Sequence, residues 1–148
     1  MRKAEPLSLV FINVKKALDS INHGGIYQVL ISAGVPMMLV NYIRDLYSSS
    51  TTRIVSGPAE VSNPVAVNRG VKQGDPMSPF LFNLVLDTCL RKLEGGVHLT
   101  ENLKWSHTAF ADDVVLIGPR MDLLQGIFNT YITVRNQFRY PSRQVSIL

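Results

Sequence analysis

The chain has 148 residues, a net charge of +4 and an isoelectric point near 9.4, which is enough for about one globular domain. Hydrophobic residues make up 46% and charged residues 18%, a composition that excludes a disordered tail. A single cysteine, Cys89, excludes a disulfide framework and favours an intracellular protein. No apolar run reaches the ~18 residues that a membrane span needs. The mild basic excess permits a nucleic acid partner without requiring one.

The first half of the chain predicts a strand, two helices and a hairpin. The apolar run over 7–14 predicts a buried strand. Helical spacing of apolar residues predicts one helix over 26–33 and a second from about 36 to 48. Residues 51–56 and 61–68 predict two strands joined by a Gly-Pro turn.

The second half predicts a loop, two helices and a pair of apolar segments. The loop over 69–79 leads into a helix from about 80 to 93. Two apolar segments, 105–110 and 114–117, precede and follow a pair of aspartates, and a last helix is expected over 121–135. The alternation of strands and helices predicts a mixed α/β fold, an α+β sandwich in which one layer of sheet is covered by helices. We expect one domain over 1–148, with a divergent tail at 138–148.

The aspartate pair, Asp112 and Asp113, stands at the predicted tip of a hydrophobic hairpin. Neighbouring side chains on a strand point to opposite faces, so only a tight turn can aim both carboxylates at one place. Carboxylates gathered there repel one another unless a divalent cation neutralises them, and Mg²⁺ takes carboxylate oxygen at such sites. An exposed Asp-Asp turn without a ligand is the common alternative, and the pair alone does not decide between the two.

The loop RGVKQGDPMSP at 69–79 contains two glycines, two prolines and a glutamine. Such a backbone can approach a ligand closely. Ser78 is placed to cap the following helix, whose first turn favours an anion. A plain connecting loop is the alternative for any one of these residues, whereas the whole string favours contact with a ligand.

The string RGVKQGDPMSPFLFNLVLD followed by AFADDVVLIG resembles motifs B and C of the reverse transcriptases of non-LTR retrotransposons, the LINE and R2-like group. FINVKKALDSINH resembles their motif A, and GVPMMLVNYIRDLYSSSTTRIV resembles the connecting region. The resemblance covers roughly 7–124, and motif B is the most specific part because eleven residues match in order. It implies a polymerase palm, a small antiparallel sheet covered by helices, with fingers and thumb largely absent from this stretch.

The resemblance also implies a reaction: Mg²⁺-dependent nucleotidyl transfer to a primer on an RNA template, with two metal ions at the site. Asp112 would be a metal ligand and Asp113 its supporting carboxylate. The partners would be an RNA or DNA primer–template and deoxynucleotides. The residues implied on the nucleotide and template side are Leu18, Gln73, Gly74, Ser78 and Pro79, and the candidate phosphate contacts are Arg69 and Lys72.

Motif A departs from the family pattern of Asp, three residues, Ala and an aromatic, because Asn13 and Leu18 occupy the first and last positions. A carboxamide offers one neutral oxygen, whereas bridging two Mg²⁺ ions requires anionic ones. The missing charge lowers metal and transition-state binding by several kcal/mol. At about 1.4 kcal/mol per tenfold change in rate, this predicts a rate lower by several orders of magnitude. Leu18 also weakens discrimination of the sugar. Asp19 is not expected to replace Asn13, because six extended residues span about 20 Å.

Two functional readings follow. The first is a reverse-transcriptase palm that is weak or inactive; the second is a non-catalytic retroelement remnant that binds nucleic acid or a protein. Fingers and thumb supplied by another chain would be compatible with the first. In either case we predict that Asn13, Asp112 and Asp113 converge at one end of the central sheet.

Overall fold

A computed structural model describes residues 7–13, 16–57, 60–138 and 146–147. The elements along the chain are β1 (Ser8–Asn13), α1 (Ala17–Ser20), α2 (His23–Ser32), α3 (Met37–Ser48), β2 (Thr51–Thr52), β3 (Val65–Ala66), α4 (Ser78–Leu90), β4 (Val97–Thr100), β5 (Leu103–Trp105), β6 (His107–Phe110), β7 (Asp113–Gly118), α5 (Met121–Gln137) and β8 (Ser146–Ile147).

The central sheet has four antiparallel strands in the order β6-β7-β1-β8. Strands β1 and β7 pair along their whole length, from Ser8 opposite Gly118 to Asn13 opposite Asp113. Apart from the helices and the hairpin inserted between β1 and α4, and the β4–β5 hairpin inserted between α4 and β6, the path β1–α4–β6–β7–α5–β8 is the split βαβ arrangement of ferredoxin-like folds. The predicted palm-like sheet is therefore confirmed.

Helices cover one face of this sheet, with α5 packed across β1 and β7 and α4 packed against α2 and α5. Side chains alternate along β7, so Val114 and Leu116 are buried at 1% and 0% exposure, whereas Asp113 is exposed. Burying one such aliphatic side chain contributes about 1.5–3 kcal/mol. The opposite face leaves Phe11 and Phe110 exposed. Segregation of the helices to one face gives the predicted α+β architecture.

Helix α2 begins at His23, three residues before the predicted start at 26. The cause is Asn22, whose Oδ1 accepts hydrogen bonds from the backbone N–H groups of Gly24 at 2.7 Å and Gly25 at 3.3 Å. These bonds satisfy amide groups that a helix start leaves unpaired. Helix α4 begins at Ser78 and ends at Leu90, earlier at both ends than predicted.

The predicted hairpin of 51–56 with 61–68 is confirmed, but its regular strands are shorter than predicted. Regular pairing is limited to Thr51–Thr52 with Val65–Ala66, and one isolated bridge joins Val55 to Val61. Pro64 lacks a backbone N–H and cannot donate to a ladder, which limits pairing on that side.

The β4–β5 hairpin was not predicted. Its entry requires Gly96, which has φ +96° and on which a Cβ would clash with the carbonyl oxygen of Trp105. The apolar segment predicted over 105–110 is divided at Ser106, where β5 has ended and β6 has not begun.

The tail lies mostly outside the described residues, so its predicted divergence stays a prediction. Its described part, Ser146–Ile147, forms β8 and pairs with Ile12–Asn13 at the edge of the sheet. Within the described ranges, no helix has the length and apolar character needed to cross a membrane.

Candidate active site

The turn between β6 and β7 brings the motif C aspartates to the same end of the sheet as Asn13. Ala111 adopts φ +52°, a left-handed conformation that reverses the chain within two residues. Asn13 and Asp113 are direct cross-strand partners. The Asn13 Nδ2 donates a hydrogen bond to the Asp113 Oδ1 at 3.0 Å, in an exposed position. Asp112, in the turn itself, is half-buried.

Asp112 lies on the wall of an open cavity of about 790 Å³ beneath the edge strand β6. Its floor is apolar and comes from α4, and its rim is polar. The lining residues include Lys16, Leu18, Asp19, Gln73, Pro79, Phe82, Asn83, Leu86, Asp87, His107, Phe110 and Asp112. The cavity therefore joins parts of motifs A, B and C.

The motif B loop is held against motif A by backbone contacts. Gly70 N–H donates to the Ile21 carbonyl at 2.7 Å, and Val71 N–H donates to the Leu18 carbonyl at 2.9 Å. His23 Nε2 lies 2.9 Å from the Gly70 carbonyl oxygen. Because a carbonyl can only accept, Nε2 carries the proton in this tautomer. The ring also meets Tyr47 edge-on at 4.7 Å. His23 thus positions the loop, a role that the sequence alone did not indicate.

Ser78 does not cap α4 as predicted. The N-cap is Met77, which has no side-chain capping bond. Ser78 is instead the first residue of the helix, 5% exposed, and its hydroxyl donates to the Lys72 carbonyl at 2.5 Å. The Asp75 side chain accepts from the Met77 N–H at 2.8 Å. In the sequence, the signal for this arrangement is the aspartate three residues before the helix.

Gln73 and Leu18 both line the cavity, and the Gln73 Nε2 donates to the Asp19 Oδ1 at 3.2 Å. Asp19 also lines the cavity, but no metal-binding group of described residues includes it, so its inability to replace Asn13 stays a prediction. Strand β1 ends at Asn13, Lys16 is left-handed at φ +53°, and the chain then enters α1. Asp19 consequently lies on the same cavity wall as Asp112.

The remaining motif B residues are placed differently from one another. Gly74 has φ +84° and open space around its Cα, and Pro79 reaches the cavity. Arg69 is exposed and lines a separate groove with Asp19. The Lys72 ammonium lies 6.0 Å from the centre of the Tyr47 ring, so cation–π attraction competes with any phosphate contact.

Burial changes the ionisation of one cavity residue. His107 on β6 has a lowered pKa because burial disfavours the charged ring, an effect that the Asp87 carboxylate opposes. The Ser106 hydroxyl lies 2.9 Å from His107 Nδ1. His107 and Asp87 are cavity residues that the sequence analysis did not identify, because they come from separate elements and belong to no local motif.

Comparisons with known proteins agree with the motif geometry. The family described as reverse transcriptase (RNA-dependent DNA polymerase) matches residues 1–140. The chain belongs to the reverse transcriptase family. It is 40% identical to a retrovirus-related Pol polyprotein from the type-1 retrotransposable element R2 of Popillia japonica, over 89% of this chain and 19% of that polyprotein. It is 42% identical to the type-2 element R2DM polyprotein of Drosophila melanogaster, over 71% of this chain and 10% of that polyprotein.

A third relative is the R2 polyprotein of Nasonia vitripennis, 39% identical over 83% of this chain and 12% of that protein. This reverse transcriptase domain therefore spans about a fifth or less of the length of these three relatives. The family assignment, as a non-LTR retrotransposon sequence of the R2 group, is confirmed.

The residues of this reverse transcriptase domain do not fit a pair of metal ions. Among the described residues, no three His, Cys, Asp or Glu side chains gather at metal-binding distance. The Asn13 amide directs an N–H, not an oxygen, at Asp113, and an N–H cannot bind a cation. Asp112 and Asp113 remain as the only motif carboxylates at the turn.

Proposed function

We propose that this domain is a retroelement reverse-transcriptase palm whose metal-dependent nucleotidyl transfer is strongly reduced or lost. The observation that carries the proposal is the hydrogen bond of 3.0 Å from Asn13 to Asp113 at the motif C turn. The hydrogen bond occupies one oxygen of the Asp113 carboxylate. The neutral amide of Asn13 leaves position 13 without a negative charge. Stabilisation of developing charge is a large part of polymerase catalysis, so its loss reduces the rate by orders of magnitude.

The rest of the site keeps the layout of a nucleotide- and template-facing groove. Support comes from the cavity that joins Leu18, Gln73, Pro79 and Asp112, and from the loop that His23 holds in place. In this proposal Gln73 and Gly74 face the nucleotide and template, and Arg69 contacts phosphate. The substrates are a primer–template and deoxynucleotides.

Primer extension tests the proposal. The parent chain, Asn13→Asp, and Asn13→Asp combined with Asp112→Ala are compared on an RNA template in Mg²⁺ and in Mn²⁺. Asn129→Asp, an exposed change on α5, controls for net charge. We expect no measurable extension by the parent or by Asn129→Asp. We expect detectable extension by Asn13→Asp. Its rate should stay below that of a full-length enzyme, because positioning of the substrates contributes several kcal/mol.

The other outcomes are equally informative. If the parent chain extends the primer, and Asp112→Ala made in the parent chain as a further variant removes that activity, then Asn13 does not inactivate the site. Extension that is indifferent to Asp112 would remove the turn from the mechanism. No recovery in Asn13→Asp, with Mg²⁺ bound to the variant, would favour a non-catalytic remnant.

A further inference from the structure

A small, partly open cavity of about 40 Å³ lies away from the motif C turn, between α4, α5 and the residue that precedes Asn22. Its walls are mostly apolar, with Ile21 and Val85 among them, and Phe138 closes one side. The Phe138 carbonyl accepts a hydrogen bond from Asn22 N–H at 2.9 Å, which ties this wall to the start of α2. Three polar side chains reach the cavity: Cys89, Tyr131 and Arg135.

Arg135 is the unusual member of this set. The residue is 9% exposed, and its Nε and Nη1 are buried with no hydrogen-bond partner in the described part of the chain. Burial lowers the pKa of its guanidinium, but arginine remains charged at neutral pH. A buried charge without an acceptor is strongly unfavourable, so native proteins pair such groups.

Among the described residues that line the cavity, none is an aspartate or a glutamate. No Asp or Glu follows Asp122 in the sequence. Burial raises the pKa of the Cys89 thiol to about 11, so it stays protonated and carries no negative charge at neutral pH. The Lys92 ammonium lies 5.8 Å from the Phe138 ring and adds positive charge nearby. The cavity is therefore positive.

We propose that this cavity binds one small inorganic anion of the halide class, held by the Arg135 guanidinium. The volume is enough for a small group of a few water-sized atoms, since about 10–15 Å³ of such space holds one water molecule. A halide supplies the negative charge that the buried Arg135 guanidinium lacks, whereas a water molecule offers only a neutral acceptor. The anion would fasten α5 to α4, and this inference does not depend on the proposed function.

Thermal unfolding of the full chain tests the site, with sodium chloride, sodium bromide and sodium gluconate compared at equal ionic strength. Gluconate is too large for the cavity. We expect chloride and bromide to raise the melting temperature above its value in gluconate, by about 4 °C when the halide exceeds its dissociation constant tenfold. Arg135→Met should lose this difference. Arg53→Met, which removes an exposed arginine, should keep it.

Bromide also gives a readout that does not depend on how well a variant folds. Crystals of the parent chain grown in bromide should show an anomalous difference peak within hydrogen-bonding distance of Arg135. A halide effect of the same size in Arg135→Met would overturn the proposal. It would also be overturned if the parent showed neither a halide effect nor a bromide peak at Arg135.

Discussion

Replacing Asn13 by Asp changes stability as well as activity, and stability reports on the site without any substrate. In the parent, Asn13 donates to the Asp113 carboxylate at 3.0 Å. In Asn13→Asp the donor is lost and two carboxylates become direct cross-strand partners. Like charges directly opposite one another destabilise a sheet. We expect the variant to be less stable without metal and to recover when Mg²⁺ is added.

The size of the effect follows from the geometry. Loss of an exposed, charge-assisted hydrogen bond costs about 1 kcal/mol after allowance for solvent screening. Repulsion between two carboxylates about 4 Å apart in water adds about 1 kcal/mol. The entropy of unfolding for 148 residues is roughly 310 cal/mol/K, so about 2 kcal/mol lowers the melting temperature by about 6 °C.

The assay is thermal unfolding of the parent, Asn13→Asp and Asn13→Ala with EDTA or with several millimolar Mg²⁺. Asn13→Ala removes the hydrogen bond without adding charge, so it should lose about 3 °C and stay insensitive to the metal. Asn13→Asp should lose about 6 °C in EDTA and recover most of it in Mg²⁺, because the cation neutralises both carboxylates. The parent should change little.

Two results would refute this reasoning. If Asn13→Asp melted at the parent temperature in EDTA, the two side chains would not be coupled as the 3.0 Å bond implies. If Mg²⁺ stabilised the parent as much as the variant, the Asn13 amide would not be what prevents metal binding.

Two further predictions concern the scaffold. Gly70→Ala should lower the free energy of unfolding, measured by chemical denaturation, by about 2–3 kcal/mol, because its φ is +85° and a Cβ would lie 2.9 Å from the Asp19 Cα. Gly34→Ala, with φ +78° and open space, should lower it by only about 1 kcal/mol. Equal losses in the two variants would contradict the contact with Asp19. Burial raises the pKa of Cys89 to about 11, so the unfolded chain releases that proton first and the parent should lose stability between about pH 9 and 11. The loss of stability is about 3 kcal/mol. Cys89→Ala should lack this pH-dependent loss when unfolding is measured across that range. Identical pH profiles of the parent and the variant would contradict the prediction.

Patterns within a few residues determined the parts of this protein that the sequence predicted correctly. The apolar run of β1 predicted a strand, which is confirmed, but the predicted burial is wrong, because Leu9 and Phe11 are exposed. Helix α3 followed from 3.6-residue spacing and from Pro36 at its start, and α5 is found where a last helix was expected. The motif B and C strings identified the family and placed Asp112 and Asp113 in a turn, since residue order alone carries that information.

Predictions failed where a distant residue completes the local structure. Ser78 looks like a helix cap in sequence, but its hydroxyl donates to the Lys72 carbonyl once the loop has folded back. The path that brings Asp19 to the cavity was not visible in any local pattern, since it follows the left-handed residue Lys16. The regular pairing between 51–56 and 61–68 is shorter than the predicted strands, because β-propensity depends on the partner strand and on burial.

The sequence by itself therefore determined the family, the order of the main elements and the presence of Asn13 in place of an aspartate. Only the tertiary structure decided what Asn13 does, because its hydrogen bond depends on the register of β1 against β7, two strands a hundred positions apart in the chain. The same holds for the cavity around Arg135, whose walls come from α4, α5 and Ile21. Hydrophobic periodicity assigns each of these elements a buried face, but packing selects which buried polar groups meet and which are left without an acceptor.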